Sequence, residues 1–153
     1  MIDYDARWSE LLLPSVRVRV EHASGSGTVL WSQNGNTYLL TNHHVVSGAI
    51  KVEPRWSPLL KRDIKADIFS IINVDFFDYR WKSRGVGAHA IQADIVTYSK
   101  EEDLALVRLR SDTSPPSVAK LYPRDKEHEL RATMSVYCVG AGLGEYPVIT
   151  DGM

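Results

Sequence analysis

The sequence predicts an all-β protein, and three observations carry that expectation. Val16, Val18 and Val20 alternate with Arg17, Arg19 and Glu21, the period-two signature of a sheet with one wet face. Gln33-Asn34-Gly35-Asn36 separates two apolar runs, and Asn-Gly accepts the positive φ of a tight hairpin turn. Short runs rich in β-branched and aromatic residues then recur between turn residues to the end of the chain. Such a pattern argues for a sandwich or a closed barrel rather than a βαβ protein, and six or so strands fill one small barrel.

The elements are taken in chain order. Residues 3–12 are expected to form one short helix, stopped by Pro14, which lacks the N–H a helix needs. Val16–Val20 is the first strand, Ala23–Gly27 a turn of small residues, and Thr28–Trp31 and Thr37–Thr41 the two arms of the Asn-Gly hairpin. Ile50–Glu53 reads as a strand, and Pro54–Arg62 as a loop with a basic cluster. Ile64–Asp78 is too long for one flat strand, so it is either bent or two strands. Arg80–Gly87 reads as a turn, and Ala88–Tyr98 and Leu104–Leu109 as strands. Ser111–Ser117 is irregular, Met134–Val139 a buried strand, Ala141–Glu145 a glycine-rich turn and Pro147–Thr150 the start of another strand.

With 153 residues the chain is expected to form a single domain with a core of useful size. Lys and Arg number 18 against 19 Asp and Glu, a net charge of 18 − 19 = −1. The sum gives the chain no overall attraction to nucleic acid or to an anionic membrane, and neither is expected as a partner. A single cysteine, Cys138, excludes an internal disulfide and fits a reducing compartment. The opening Met-Ile-Asp-Tyr-Asp carries acids where a signal peptide carries bases, and no apolar run approaches the roughly 18 residues of a membrane span. A cytoplasmic protein is expected.

Two phrases point to chemistry. Thr37-Tyr38-Leu39-Leu40-Thr41-Asn42-His43-His44-Val45-Val46 places an imidazole directly after a strand, and Asp103-Leu104-Ala105-Leu106-Val107-Arg108-Leu109 places a carboxylate directly before one. An imidazole can take a proton from a hydroxyl near neutral pH and return it to a leaving amine. A carboxylate beside it fixes the tautomer and stabilises the imidazolium. Read alone, paired histidines after a strand are more often packing residues, and an aspartate before a strand more often caps a turn.

Together the two phrases resemble the histidine and aspartate segments of trypsin-like (chymotrypsin-fold) serine proteases, HtrA-type branch. The first matches Thr-Asn-Asn-His-Val-Val with one change, at His43, and the alignment makes His44 the catalytic candidate. Leu13–Val18 with Gly25–Leu30 is similar to the family's opening strands, and Ser135–Gly140 with 142–152 to its passage between two barrels. The resemblance implies one six-stranded antiparallel barrel over residues 1–139. It makes 140–153 the connection to, and first strand of, a second barrel. His44 and Asp103 lie 103 − 44 = 59 positions apart, more than is usual in the branch, which implies an insertion around residues 54–87.

The family's nucleophile sits in Gly-Asp/Asn-Ser-Gly-Gly, where backbone amides form the oxyanion hole, and no serine here has that context. Ser26, between Gly25 and Gly27, matches a structural phrase instead, and Cys138 lies in an apolar run that suits a buried core residue. The resemblance therefore implies a serine endopeptidase half that supplies His44 and Asp103, with serine and oxyanion hole in a missing or separate second barrel. Its partners would be a polypeptide substrate and that complementary barrel, or a second copy through self-association. The alternative reading is a non-catalytic protease-like barrel serving as a binding or structural module.

No cofactor or metal is expected. His43, His44, His89 and His128 fit no zinc spacing, and Gly140-Ala-Gly142-Leu-Gly144 has its third glycine too early for a dinucleotide turn. Lys61-Arg62 and Lys82 with Arg84 read as solvated basic surface.

Overall fold

The computed structural model describes residues 3–82, 84–142 and 145–152. Ten strands dominate: β1 (Ser15–Val20), β2 (Ala23–Gln33), β3 (Asn36–Thr41), β4 (Ile50–Ser57), β5 (Arg62–Phe69), β6 (Ile72–Arg80), β7 (Arg84–Ser99), β8 (Leu104–Leu109), β9 (Val136–Gly140) and β10 (Val148–Gly152). Six of them close into an antiparallel barrel in the order β1-β2-β3-β8-β7-β6. The all-β expectation and the single six-stranded barrel both hold.

The alternation of β1 now has a destination. Val16 and Val18 are fully buried and meet Val29, Leu39, Val46, Ile72, Val74 and Val107 inside the barrel. On the outer face Asp75 of β6 is buried between Arg17 and Arg19 of β1, at 2.8 and 2.6 Å from their Nε atoms. Arg17 and Asp75 are also register partners, so the ion pairs span the β1–β6 seam that closes the barrel.

The N-terminal segment is helical as expected, with α1 (Tyr4–Arg7) capped by the Asp3 carboxylate and continued by a wider turn over Trp8–Leu12. The Asn34-Gly35 hairpin forms with both residues at positive φ, 50° and 73°. Ala23–Gly27, expected as a turn, belongs to β2 instead. Its glycines serve close packing: a Cβ on Gly27 would stand 2.9 Å from the Val18 side chain, and one on Gly25 would collide with Val45.

Pro54–Arg62 is not a loop. β4 and β5 form a two-stranded ribbon from Ile50↔Phe69 to Ser57↔Arg62, paired only with one another. Pro54 is tolerated because the outer edge of β4 has no neighbour that needs its N–H. Ile64–Asp78 is two strands, broken at Ser70, whose N–H donates to the Ala49 carbonyl. β6 runs to Arg80 and β7 starts at Arg84, so the expected Arg80–Gly87 turn contracts to a tip where Trp81 and Lys82 take φ of 55° and 57°. The stretch outside the barrel is thus the 50–69 ribbon, while most of 70–87 is barrel hairpin.

The expected strand at 134–139 begins at Val136 and is not buried: Val136, Tyr137 and Cys138 are exposed. It pairs only with β10 among the described residues, Tyr137 lies beneath the Arg7 guanidinium, and Val139 is half-buried. The expected turn at 141–145 includes residues 143 and 144, which lie outside the described residues. Among the described residues no helix is long and apolar enough to cross a membrane.

Candidate active site

β3 ends at Thr41 and its antiparallel neighbour β8 begins at Leu104, with Thr41 paired to Ala105. The segment leaving β3 therefore meets the segment entering β8 at one end of the barrel. The chain leaves β3 through an extended Asn42 into a single helical turn, α2 (His43–Val46). Val45 and Val46 are buried and fix the turn against the barrel, which leaves the side chains of His43 and His44 directed elsewhere. Val45 fits because Gly25 of β2 has no side chain in its way.

Before β8, Asp103 takes a left-handed conformation (φ 50°), which aspartate tolerates better than most residues. Its amide donates to the Lys100 carbonyl at 3.3 Å, closing the turn from β7. Oδ2 lies 2.7 Å from His44 Nδ1, and Oδ1 accepts the His44 backbone N–H at 2.9 Å. The Asn42 side-chain amide donates to the Asp103 carbonyl at 2.9 Å. Asn42 is visible in the motif, but only the structure shows that it locks the two segments together.

These bonds have an electrostatic consequence. The His44 backbone N–H, followed by its ring, holds the Asp103 carboxyl below the ordinary carboxylate range. An ionised Oδ2 makes Nδ1 the protonated nitrogen, so Nε2 carries the free lone pair and is the basic atom. The pair is open rather than enclosed, with side chains 71% (His44) and 45% (Asp103) exposed.

A shallow depression of about 400 Å³ begins beside the pair, lined by Asn42, Thr41, Ser26, Leu104, Leu40 and Leu121 among others. Ser26 makes no hydrogen bond to the imidazole among the described residues: its Oγ accepts the Ala141 N–H at 2.8 Å and ties β2 to the end of β9. Cys138 is exposed on β9 opposite Thr150, not buried in the core, and has no contact with His44 among the described residues. A larger cavity of about 810 Å³ lies between Trp8, Trp81 and Tyr137 and includes neither His44 nor Asp103. Among the described residues no three His, Cys, Asp or Glu side chains gather as metal ligands.

His43 has a separate role in the packing. Its ring lies 5.1 Å from that of Tyr98 at a 31° tilt, Phe69 of β5 meets Tyr98 edge-on at 6.2 Å, and the Tyr98 hydroxyl donates to Asp67 Oδ2 at 2.9 Å. Tyr98 thereby clasps the ribbon to the histidine turn, and nothing in the local sequence singles it out.

A closed six-stranded antiparallel barrel with a His–Asp pair at the β3 and β8 ends has the form of the first barrel of a trypsin-like protease. The trypsin-like peptidase domain model matches residues 25–153, and the chain belongs to that family. The crystal structure of Deg5 is similar, with a TM-score of 0.60 at 19% identity over 94% of this chain. The match covers 57% of the Deg5 chain, so this chain spans little more than half that length. No curated protein sequence matches at a significant level.

Proposed function

We propose that the chain is the N-terminal half of a serine endopeptidase of the HtrA-type branch, and that His44 and Asp103 are two of its three catalytic residues. The observation that supports this reading is the two-point contact of Asp103 with the His44 ring and backbone. That contact orients Nε2 as a base. In the assembled enzyme His44 Nε2 takes the proton of a serine hydroxyl as its oxygen attacks the scissile carbonyl, then gives it to the leaving amine. Water repeats the step to release the acyl group. Residues 1–139 form the first barrel in this reading, and 140–153 lead into a second barrel carrying the serine and the oxyanion hole. The substrate is a polypeptide.

The test is labelling of the native gene product with a fluorophosphonate, which reacts only with an activated serine. Labelling that is lost in His44→Ala supports the assignment. A native product that does not label, or labels equally in His44→Ala, overturns it in favour of a non-catalytic protease-like barrel. That second reading draws on the bond of Ser26 to Ala141 and the exposure of Cys138, neither of which makes a hydrogen bond to the imidazole among the described residues.

A further inference from the structure

The β4–β5 ribbon is not accounted for by the pair at the barrel end. Its eight paired positions per strand give it a length of about 27 Å. It leaves the barrel with nearly every residue beyond Val52 solvent-accessible. At its tip the Leu60 N–H donates to Ser57 Oγ, and Lys61 takes a φ of 49° to turn the chain. Trp56, Leu59 and Leu60 stand 59%, 90% and 53% exposed there. Lys61 and Arg62 share that tip, Arg55 and Lys65 lie further down the ribbon, Asp63 is directly across from Trp56, and none of the four cations has an ion-pair partner among the described residues.

We propose that this tip docks the protein on an anionic lipid surface. Four cations and one acid, Asp63, give residues 55–65 a charge of 4 − 1 = +3. The whole chain carries −1, so the remaining residues sum to −1 − 3 = −4. The overall balance that argues against an anionic surface thus averages over a separation of charge.

The chemistry fits a lipid headgroup layer in two ways. Cations near an anionic leaflet are attracted to it, roughly fivefold in affinity for each Lys or Arg. Two adjacent leucines and a tryptophan stand exposed at the same tip, and these side chains favour the boundary between headgroups and acyl chains. The long stems of Lys61 and Arg62 let their charges remain at headgroup level while Leu59 and Leu60 enter.

An acidic protein is a poorer fit, because a narrow convex tip offers far less than the roughly 800 Å² per partner of a stable interface. A nucleic acid would leave both leucines without a place to bury. This inference goes beyond catalysis and does not rest on it.

The test uses the native gene product and sedimentation with large vesicles of phosphatidylcholine, with and without one third phosphatidylserine. The protein is expected to sediment with the anionic vesicles only and to be released by high salt. Leu59→Ser with Leu60→Ser should weaken binding at least about tenfold, as should Lys61→Glu with Arg62→Glu. All four positions are exposed on the ribbon, so circular dichroism and melting should be unchanged. Absence of binding, equal binding to neutral vesicles, or undiminished binding by the leucine variant overturns the proposal. The last of these would mark a merely electrostatic patch, and the first would leave a protein partner as the occupant.

Discussion

Asp103 holds His44 at two points, with one carboxylate oxygen 2.7 Å from the ring Nδ1 and the other 2.9 Å from the backbone nitrogen. The backbone contact alone would leave the imidazole free to swing about χ1. Two contacts tie ring and main chain to the same group, and the Asn42 amide holds that group's own carbonyl.

Replacing Asp103 with Asn tests what the carboxylate adds. An asparagine keeps the shape but turns one acceptor into a donor, which favours the tautomer with the lone pair on Nδ1. In the proposed peptidase kcat should fall by about 10⁴-fold with little change in KM. Because the folded carboxyl titrates below the ordinary range, acidification should not protonate it until below about pH 4. A kcat within tenfold of the parent would show that Asp103 does not orient the base.

Gly25→Ala probes the support beneath the pair. The new methyl would collide with the Val45 side chain, and Val45 is the residue next to His44 that seats the turn. Overpacking of this kind costs about 1–3 kcal/mol. The turn, rather than β2, should give way, because Gly25 is held in register with Val18 of β1. We expect a lower melting temperature together with shifted His44 ring resonances in an NMR spectrum. An unchanged spectrum with a lowered melting temperature would place the strain in β2 instead.

The same glycine shows why some of the fold is legible in the sequence and some is not. Alternation in β1 and the Asn34-Gly35 turn are local signals, and the barrel uses both unchanged. Gly25 and Gly27 read locally as a turn, whereas their reason is the nearness of Val45 and Val18 from other parts of the chain. Pro54 reads locally as a strand breaker, and only the absence of a neighbour along that edge makes it harmless. The apolar flanks of Cys138 point to the core, yet β9 lies outside the barrel and leaves Cys138 exposed. His44 and Asp103 are legible through their motifs, but their contact across 59 positions needs the β3–β8 pairing that no local pattern displays.

Tyr98→Phe removes one hydroxyl and tests the clasp between ribbon and barrel. The bond to Asp67 is exposed and water can replace it, so its loss should cost the global fold little. The effect should be local, because β4 and β5 pair with nothing else. Amide hydrogen exchange should accelerate roughly three- to tenfold along Ile64–Phe69 while the β1, β2 and β3 amides keep their protection. Uniform acceleration throughout the barrel would mean that the clasp supports the whole fold.

The ion pairs at the barrel seam predict a pH dependence of stability. Burial pushes the Asp75 carboxyl up, but hydrogen bonds from Arg19 and Arg17 and their charges outweigh it, and the group titrates below its ordinary value. A folded pKa below the unfolded one adds stability that is complete above about pH 4 and is lost as pH falls through the folded value. Removing the carboxylate in Asp75→Ala leaves two guanidinium groups facing an empty place. Breaking a buried pair costs roughly 3–5 kcal/mol, and the lower end applies because the Arg19 side chain is 42% exposed and regains water. Urea midpoints should therefore separate parent and variant by a constant amount from neutral pH down to about pH 5, and should converge below about pH 4 as the parent's carboxylate is protonated. A gap that persists into strong acid would mean that Asp75 acts through shape rather than charge, and the seam would then owe its closure to Val16, Val18 and Val74 behind it.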